Sequence, residues 1–401
     1  MTLLDALFLP EVWEAFYEYK TGLICPRDEA ARLRDFIDRG AFLPVCQRIA
    51  AGEPFPLPRR SVISKLHSGK KRVVYTYPEP ENTVLKLLTW LLLRRYDGLF
   101  SPGLWSFRPG RTAKDAIRGL LAVPGLRQMW AWKADVSNYF NSIDPDRFLP
   151  LLEETLADEP ALYAFLRALL KEPAVLDKGR PLIEQKGIMA GTPLSAFYAN
   201  LYLRDLDRAF SADGLPYARY SDDIILFAPS EAELLARADR LRTALTDKGL
   251  ALNPSKEALF APAEGWVFLG FRCVGGTVDV APATLDKLKA KMRRKTRALA
   301  RWRDRTGHTG EQAAAAFIRV FNRKLLDSPM DRELSWSCWF FSVINTDATL
   351  RVIDRYAQDC LRTLISGKRT KARFNVRYED LKALGYRSLV HEYYAYETGK
   401  P

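Results

Sequence analysis

Three features of the 401-residue sequence predict an α+β fold. The first sixty residues carry apolar side chains at helical spacing, with Leu3, Leu4, Leu7 and Phe8 followed by Leu33, Phe36 and Ile37. The middle of the chain holds short aromatic and β-branched runs bounded by turn residues, Tyr217 to Phe227 above all, which read as antiparallel strands. From Thr284 onward helical spacing returns and the surface turns strongly basic. A chain of this length can bury a large core and divides into two or three lobes.

The N-terminal helices end at the Pro-rich break Pro54-Phe55-Pro56-Leu57-Pro58. Lys65 to Tyr75 then reads as a hairpin whose turn carries Gly69 and a cluster of cations. Residues 82–100 read as a helix. After the basic loop Phe107-Arg108-Pro109-Gly110-Arg111, Thr112 and Asp115 have the spacing of a capping box, and such a helix start can also bind a template phosphate. Trp132 to Asp135 is a short strand that gives way to a turn through Asn141 and Pro145. Residues 145–171 read as two helices joined near Asp158-Glu159-Pro160. The Gly-bounded loop Gly187 to Ser195 opens a helix over 196–210, with Asn200 about one turn beyond Ser195. Glu231 to Lys248 is an amphipathic helix closed by Gly249, and Asn253-Pro254-Ser255-Lys256 leads a strand. Val267 to Cys273 and Thr277 to Val280 flank Gly275-Gly276 as the arms of a hairpin. Thr284 to Arg305 is a basic helix, and further helices are expected over 311–326, 334–344 and 348–365. Last come the basic run Lys368 to Arg373 and a tail that crowds Tyr386, Tyr393, Tyr394 and Tyr396 together. Docking on the helices, stacking on RNA bases and a tyrosine hydroxyl acting as primer are three readings of that tail.

With 61 Lys and Arg against 48 Asp and Glu, the net charge of +13 suits a polyanionic partner, because each neutralised phosphate releases counterions. No apolar run reaches the roughly 18 residues of a membrane span, and the N-terminus lacks the basic segment of a signal peptide. The five cysteines form no CxxC pair and the three histidines lie far apart, so reduced thiols, no zinc site and a cytoplasmic location are expected.

The chemistry concentrates in acids. Asp222 and Asp223 sit at the expected tip of the 217–227 hairpin, where a solvated turn would account for them. Asp135, at the end of its own strand, changes the balance. Three carboxylates on strand ends can hold two hard cations through oxygen, with water and phosphate completing the shells.

In order along the chain, Lys65 to Tyr77, Phe107 to Gly110, Lys133 to Asp144, Gly187 to Leu203, Tyr220 to Phe227, Leu252 to Phe260 and Phe268 to Phe271 resemble the motif series of reverse transcriptases, in particular the bacterial lineage related to group II intron enzymes. Tyr220-Ser221-Asp222-Asp223 stands where Tyr-Ala-Asp-Asp is commoner, and Met189-Ala190-Gly191 where the pattern has Pro-Gln-Gly. The resemblance implies a right-hand polymerase: a helical extension over 1–60, fingers over 61–130, a palm over 131–281 with finger insertions near 145–190, and a helical thumb and tail over 282–401.

It also implies RNA-directed DNA synthesis with Mg²⁺ held by Asp135, Asp222, Asp223 and the carbonyl of Val136. Lys65 and Arg72 become candidates to clamp the dNTP triphosphate, Phe140 to underlie the sugar and exclude a 2′-hydroxyl, and Lys256 to protonate the departing pyrophosphate. Ser195 is a further candidate nucleotide contact, although helix capping or core packing would equally explain Ser195 and Asn200. The 267–280 hairpin corresponds to the primer grip, and no counterpart of the endonuclease module is expected. On compactness the chain is most similar to the defence-associated reverse transcriptases, class 2, which implies a noncoding RNA template, a cDNA product and a role against phage. Retron, diversity-generating and group II intron-derived enzymes, and a catalytically silent RNA-binding protein, are the alternatives.

Overall fold

The structure is a computed structural model that describes residues 1–23, 25–64, 71–327 and 336–399. It divides into two compact units, Met1–Ala261 and Pro262–Pro401. Its strands, in chain order, are β1 (Arg59–Ser64), β2 (Lys71–Thr76), β3 (Trp130–Asp135), β4 (Ala174–Asp177), β5 (Arg180–Ile183), β6 (Tyr217–Tyr220), β7 (Asp223–Ala228), β8 (Ala258–Phe260), β9 (Trp266–Phe268), β10 (Phe271–Val274) and β11 (Thr277–Val280). Helices precede, separate and follow them along the chain, so the class is α+β as the sequence predicts.

In the first unit, helices Pro10–Gly22, Arg27–Asp38 and Leu43–Ala50 gather around Trp13, whose ring stacks on Phe42 at 4.7 Å and whose indole N–H donates to the Leu7 carbonyl at 2.8 Å. The helix expected over 82–100 runs instead over Glu79–Arg95. It starts earlier because Pro80 falls in the first turn, where its missing N–H costs no hydrogen bond. Leu85, Leu87, Leu88 and Leu92 bury its inner face.

The outer sheet has the order β2-β1-β4-β5, with β1 and β4 paired in parallel. The central sheet has the order β6-β7-β3-β8 and is antiparallel throughout. Its middle strands are buried on both faces, with Ala131, Trp132 and Ala134 of β3 and Ile224 to Ala228 of β7 all inside. The core continues through Phe148, Phe197, Tyr198 and Phe210 on flanking helices.

Two segments read as continuous are broken. The helix expected over 196–210 is Ser195–Tyr202 followed by Arg204–Ala212, with Leu203 between them at φ −102° and ψ 13°. The segment Val267 to Cys273 is not one strand but β9 and β10, which turn back on each other at Leu269 and Gly270. Both turn residues have positive φ, 49° and 90°, the conformation that reverses a two-residue hairpin.

The second unit holds the β11-β10-β9 sheet and helices Pro282–Thr306, Gly310–Leu325, Trp336–Phe341 and Ala348–Ser366. The C-terminal tail docks. Asp354, buried on helix Ala348–Ser366, accepts from the Tyr386 hydroxyl at 2.7 Å, the Ser388 hydroxyl at 2.6 Å and the Leu389 N–H at 2.9 Å. Tyr393 is also buried and donates to the Ile344 carbonyl at 3.1 Å, while Tyr394 and Tyr396 stay exposed.

Candidate active site

Strand register brings the acids together. Asp135, the last residue of β3, lies directly opposite Asp223, the first residue of β7, in an antiparallel pair. Side chains directly opposed across two strands share a face, so both carboxylates stand on one side of the sheet. Asp222 lies in the two-residue turn between β6 and β7, and its carbonyl accepts from the Val136 N–H at 2.9 Å. Thus the chain leaving β3 is tied to the hairpin tip one residue beyond Asp135.

That tip is held from below. Ser221 adopts φ 59°, a conformation few non-glycine residues take, and its N–H donates to the Ser106 hydroxyl at 2.8 Å. Its carbonyl accepts from Arg219 at 3.1 Å. Arg219 is fully buried and pairs with Asp207 at 2.5 Å, and the Tyr217 hydroxyl donates to the same carboxylate at 2.5 Å. Asn200, also fully buried, donates to the Ser106 carbonyl at 2.8 Å. None of these long-range supports is marked by local pattern.

Two lysines stand over the acids. The Lys256 ammonium donates to Asp135, and the Lys133 ammonium lies 3.8 Å from Asp223. The only sequence signal for Lys133 is its position two residues before Asp135, on the same strand face. Burial pushes the Asp223 carboxyl above its ordinary value; Lys133 opposes that shift, and the neighbouring Asp222 and Asp135 reinforce it.

Among the described residues, no three acidic, cysteine or histidine side chains already form a ligating cluster. The lysine contacts on Asp135 and Asp223 neutralise charge where a cation would stand. The donor set nonetheless fits a hard divalent ion: carboxylate oxygens on two opposed strand ends and the adjoining turn.

Around the acids, Phe140 is half-buried, its ring 6.5 Å from Phe107 and 5.5 Å from Tyr139. Its carbonyl accepts from Ile188 at 2.9 Å, which draws the 187–195 loop against the segment after β3. Gly187 is required there: at φ 54°, a Cβ would fall 2.6 Å from the Phe140 carbonyl oxygen. Asn141, which the sequence marks only as a turn residue, accepts from the Ala190 N–H at 3.1 Å and donates to the Val73 carbonyl at 3.3 Å. The Tyr75 N–H in turn donates to the Ala190 carbonyl at 2.8 Å, so the loop is clamped between β2 and the acid-bearing segment.

Arg72 is exposed on β2, and Lys65 lies outside the described residues. Ser195 is buried and its hydroxyl donates to Thr192 at 2.7 Å, an inward contact that does not join the acids. Val136 is buried next to Asp135.

The family model described as "Reverse transcriptase (RNA-dependent DNA polymerase)" matches residues 63–273. Over 150 residues the chain is 29% identical to an uncharacterized 91 kDa protein in the cob intron of Schizosaccharomyces pombe, which covers 37% of this chain but only 18% of that relative. Among solved structures, apo telomerase from Candida tropicalis aligns with a TM-score of 0.48 at 11% identity, covering 87% of this chain and 73% of the other. Telomerase from Candida albicans in complex with the TWJ fragment of telomeric RNA aligns with a TM-score of 0.46 at 10% identity, covering 88% and 71%. At such scores these two likenesses assign nothing to the present chain. The family match is of a different order, since it spans just over half of the 401 residues and contains every strand from β2 to β9 together with all three acids. This chain, with its α+β right-hand polymerase fold, belongs to the reverse transcriptase (RNA-dependent DNA polymerase) family.

Proposed function

We propose that the chain is an RNA-directed DNA polymerase that copies an associated noncoding RNA into cDNA from dNTPs. The observation that carries the proposal is the opposition of Asp135 and Asp223 across β3 and β7 with Asp222 at the adjoining turn. In this reading the primer 3′-hydroxyl gives up its proton to solvent as its oxygen forms a bond to the α-phosphorus of the dNTP, the bond from that phosphorus to the bridging oxygen breaks, and pyrophosphate leaves. Asp135, Asp222 and Asp223, with the Val136 carbonyl, would hold Mg²⁺. When bound, that ion neutralises the phosphate oxygens and lowers the pKa of the attacking hydroxyl.

The remaining roles belong to the chain's own groups. Phe140 forms a floor beneath the sugar, where its ring leaves no room for a 2′-hydroxyl. Arg72 and Lys65 meet the triphosphate, and the planar guanidinium suits bidentate contact. Lys256 exchanges its contact with Asp135 for the leaving pyrophosphate and delivers a proton to it. Ser195 acts through the loop it anchors, by fixing the start of helix Ser195–Tyr202. Catalysis of this type is positioning and charge neutralisation, so no protein nucleophile is required.

The finer assignment, to a bacterial, cytoplasmic enzyme of the defence-associated type acting against phage, extends the resemblance in size and simplicity given above; the ordered motif series supports the reverse transcriptase lineage, and the net charge of +13 supports a polyanionic partner. Among the described residues no helix is long and apolar enough to cross a membrane. Sequencing the RNA and DNA that co-purify with the protein tests the whole reading: one discrete RNA with complementary DNA is expected, and recovery of no discrete RNA would remove the noncoding-RNA template.

A further inference from the structure

Two basic runs far apart in the sequence meet in the second unit. Helix Pro282–Thr306 contributes Arg293 and Arg297, and the segment after helix Ala348–Ser366 contributes Arg369 and Arg373. All four line one cavity of about 320 Å³ with Tyr356 and a single acid, Asp359. Arg293 is oriented by the Tyr356 hydroxyl at 3.1 Å. Arg373 is braced by the carbonyls of Arg369 and Thr370 at 2.9 and 3.2 Å and lies 3.8 Å from Asp359. Asp359 is shared, since Arg362 lies 3.8 Å from it as well. Arg297 and Arg369 have no carboxylate partner among the described residues.

Arg293, Arg297 and Arg369 are exposed and Arg373 half-buried, so water screens their mutual repulsion, yet four guanidinium groups around one carboxylate leave a concave surface of net positive charge that an entering anion would neutralise. The polymerisation chemistry does not use these residues. We propose that this cavity is a phosphate-binding site that seats a backbone phosphodiester of the RNA the protein carries, with Arg297 and Arg369 as the principal contacts and Arg293 and Arg373 as pre-set supports. Guanidinium forks match phosphate geometry bidentately, and a cavity closed by two separate elements grips one phosphate where a flat basic face would only attract many. The inference rests on the RNA-dependent reading above for the identity of the polyanion.

The test uses the full chain and a fluorescently labelled RNA hairpin, with affinity measured across a salt series. R297Q/R369Q is expected to weaken binding about tenfold and to make the dependence of log Kd on log salt shallower by about 1 to 2, as lost phosphate contacts require. Asp359→Asn is expected to tighten binding, an opposite sign that damaged folding cannot mimic. Inorganic pyrophosphate serves as the small-anion probe and is expected to compete only at millimolar concentration. Wild-type affinity and slope in R297Q/R369Q overturn the site, as does weaker binding in Asp359→Asn. Tight pyrophosphate binding that R297Q/R369Q abolishes while hairpin affinity is unchanged overturns the nucleic-acid assignment. Primer extension on a short primer–template with the same samples separates the two levels: absence of synthesis by the wild type counts against polymerase function, whereas the salt slope decides the cavity either way.

Discussion

Arg219 and Asp207 form an ion pair with both side chains wholly buried, and the same guanidinium holds the Ser221 carbonyl beneath the acid-bearing turn. Removing one partner leaves an uncompensated buried charge, which costs about 3 to 5 kcal/mol. Arg219→Met is therefore expected to lower the unfolding free energy obtained from urea titration by that amount and to reduce synthesis even where the protein stays folded. A loss below about 1 kcal/mol, the range of an exposed pair, would show that the turn is held otherwise.

Asp223 links stability and chemistry with opposite signs. Burial raises its pKa in the folded state above the unfolded value, so the folded protein binds the proton more tightly and the ionised form opposes folding at neutral pH. The opposition fades as pH falls through the folded-state value toward the unfolded one. Asp223→Asn should raise the melting temperature at pH 7, with the gain shrinking in acid, while synthesis falls more than about 100-fold, beyond what loss of a mere orienting partner costs. A melting temperature that falls at pH 7 would contradict this account.

Lys186 supplies a second titration. It is buried, its ammonium has no hydrogen-bond partner among the described residues, and burial lowers its pKa to about 8 although Glu172 and Glu184 pull the other way. The unfolded chain keeps the proton up to its ordinary value near 10.5. Between those values the unfolded state binds more protons, so the Lys186 contribution rises with pH by up to about 3 kcal/mol. Lys186→Met should be more stable than the wild type at pH 7, and the difference should shrink above pH ~8. Parallel stability curves for the two proteins from neutral to alkaline pH would refute it.

Phe140 is only half-buried, against Phe107 and Tyr139. Phe140→Ala should accordingly cost less than the ~3 to 5 kcal/mol of a fully buried ring and should admit ribonucleotides into the product. Incorporation of rNTPs measured beside melting temperature checks both halves. A stable variant with unchanged sugar choice would take Phe140 out of the site.

Much of this was legible because it is local. Alternation and turn residues mark β6, β7 and the acid tip; Thr112 and Asp115 form the capping box that their spacing announces; and Gly249, at φ 73°, ends its helix as expected. The rest depends on long-range partners. The break at Leu203 has no Gly or Pro to signal it, yet the helix that follows carries Asp207, the partner of Arg219. Ser106 reaches Ser221 across 115 residues, and Asn141 reaches Val73 across 68. Arg293 and Arg369 belong to two basic runs visible in the sequence, but only the fold brings helix Pro282–Thr306 and the segment after helix Ala348–Ser366 around one cavity. The tail tyrosines divide by burial: Tyr386 and Tyr393 dock, whereas Tyr394 and Tyr396 remain exposed.

Primer extension is the most direct test of polymerase function. Purified wild-type protein is given an RNA template, an annealed DNA primer, dNTPs and Mg²⁺, and is compared with Asp222→Asn and Asp135→Asn after both variants are shown to fold. The account predicts template-directed DNA synthesis by the wild type and a loss of more than about 100-fold in each variant. Wild-type rates in either folded variant would contradict it.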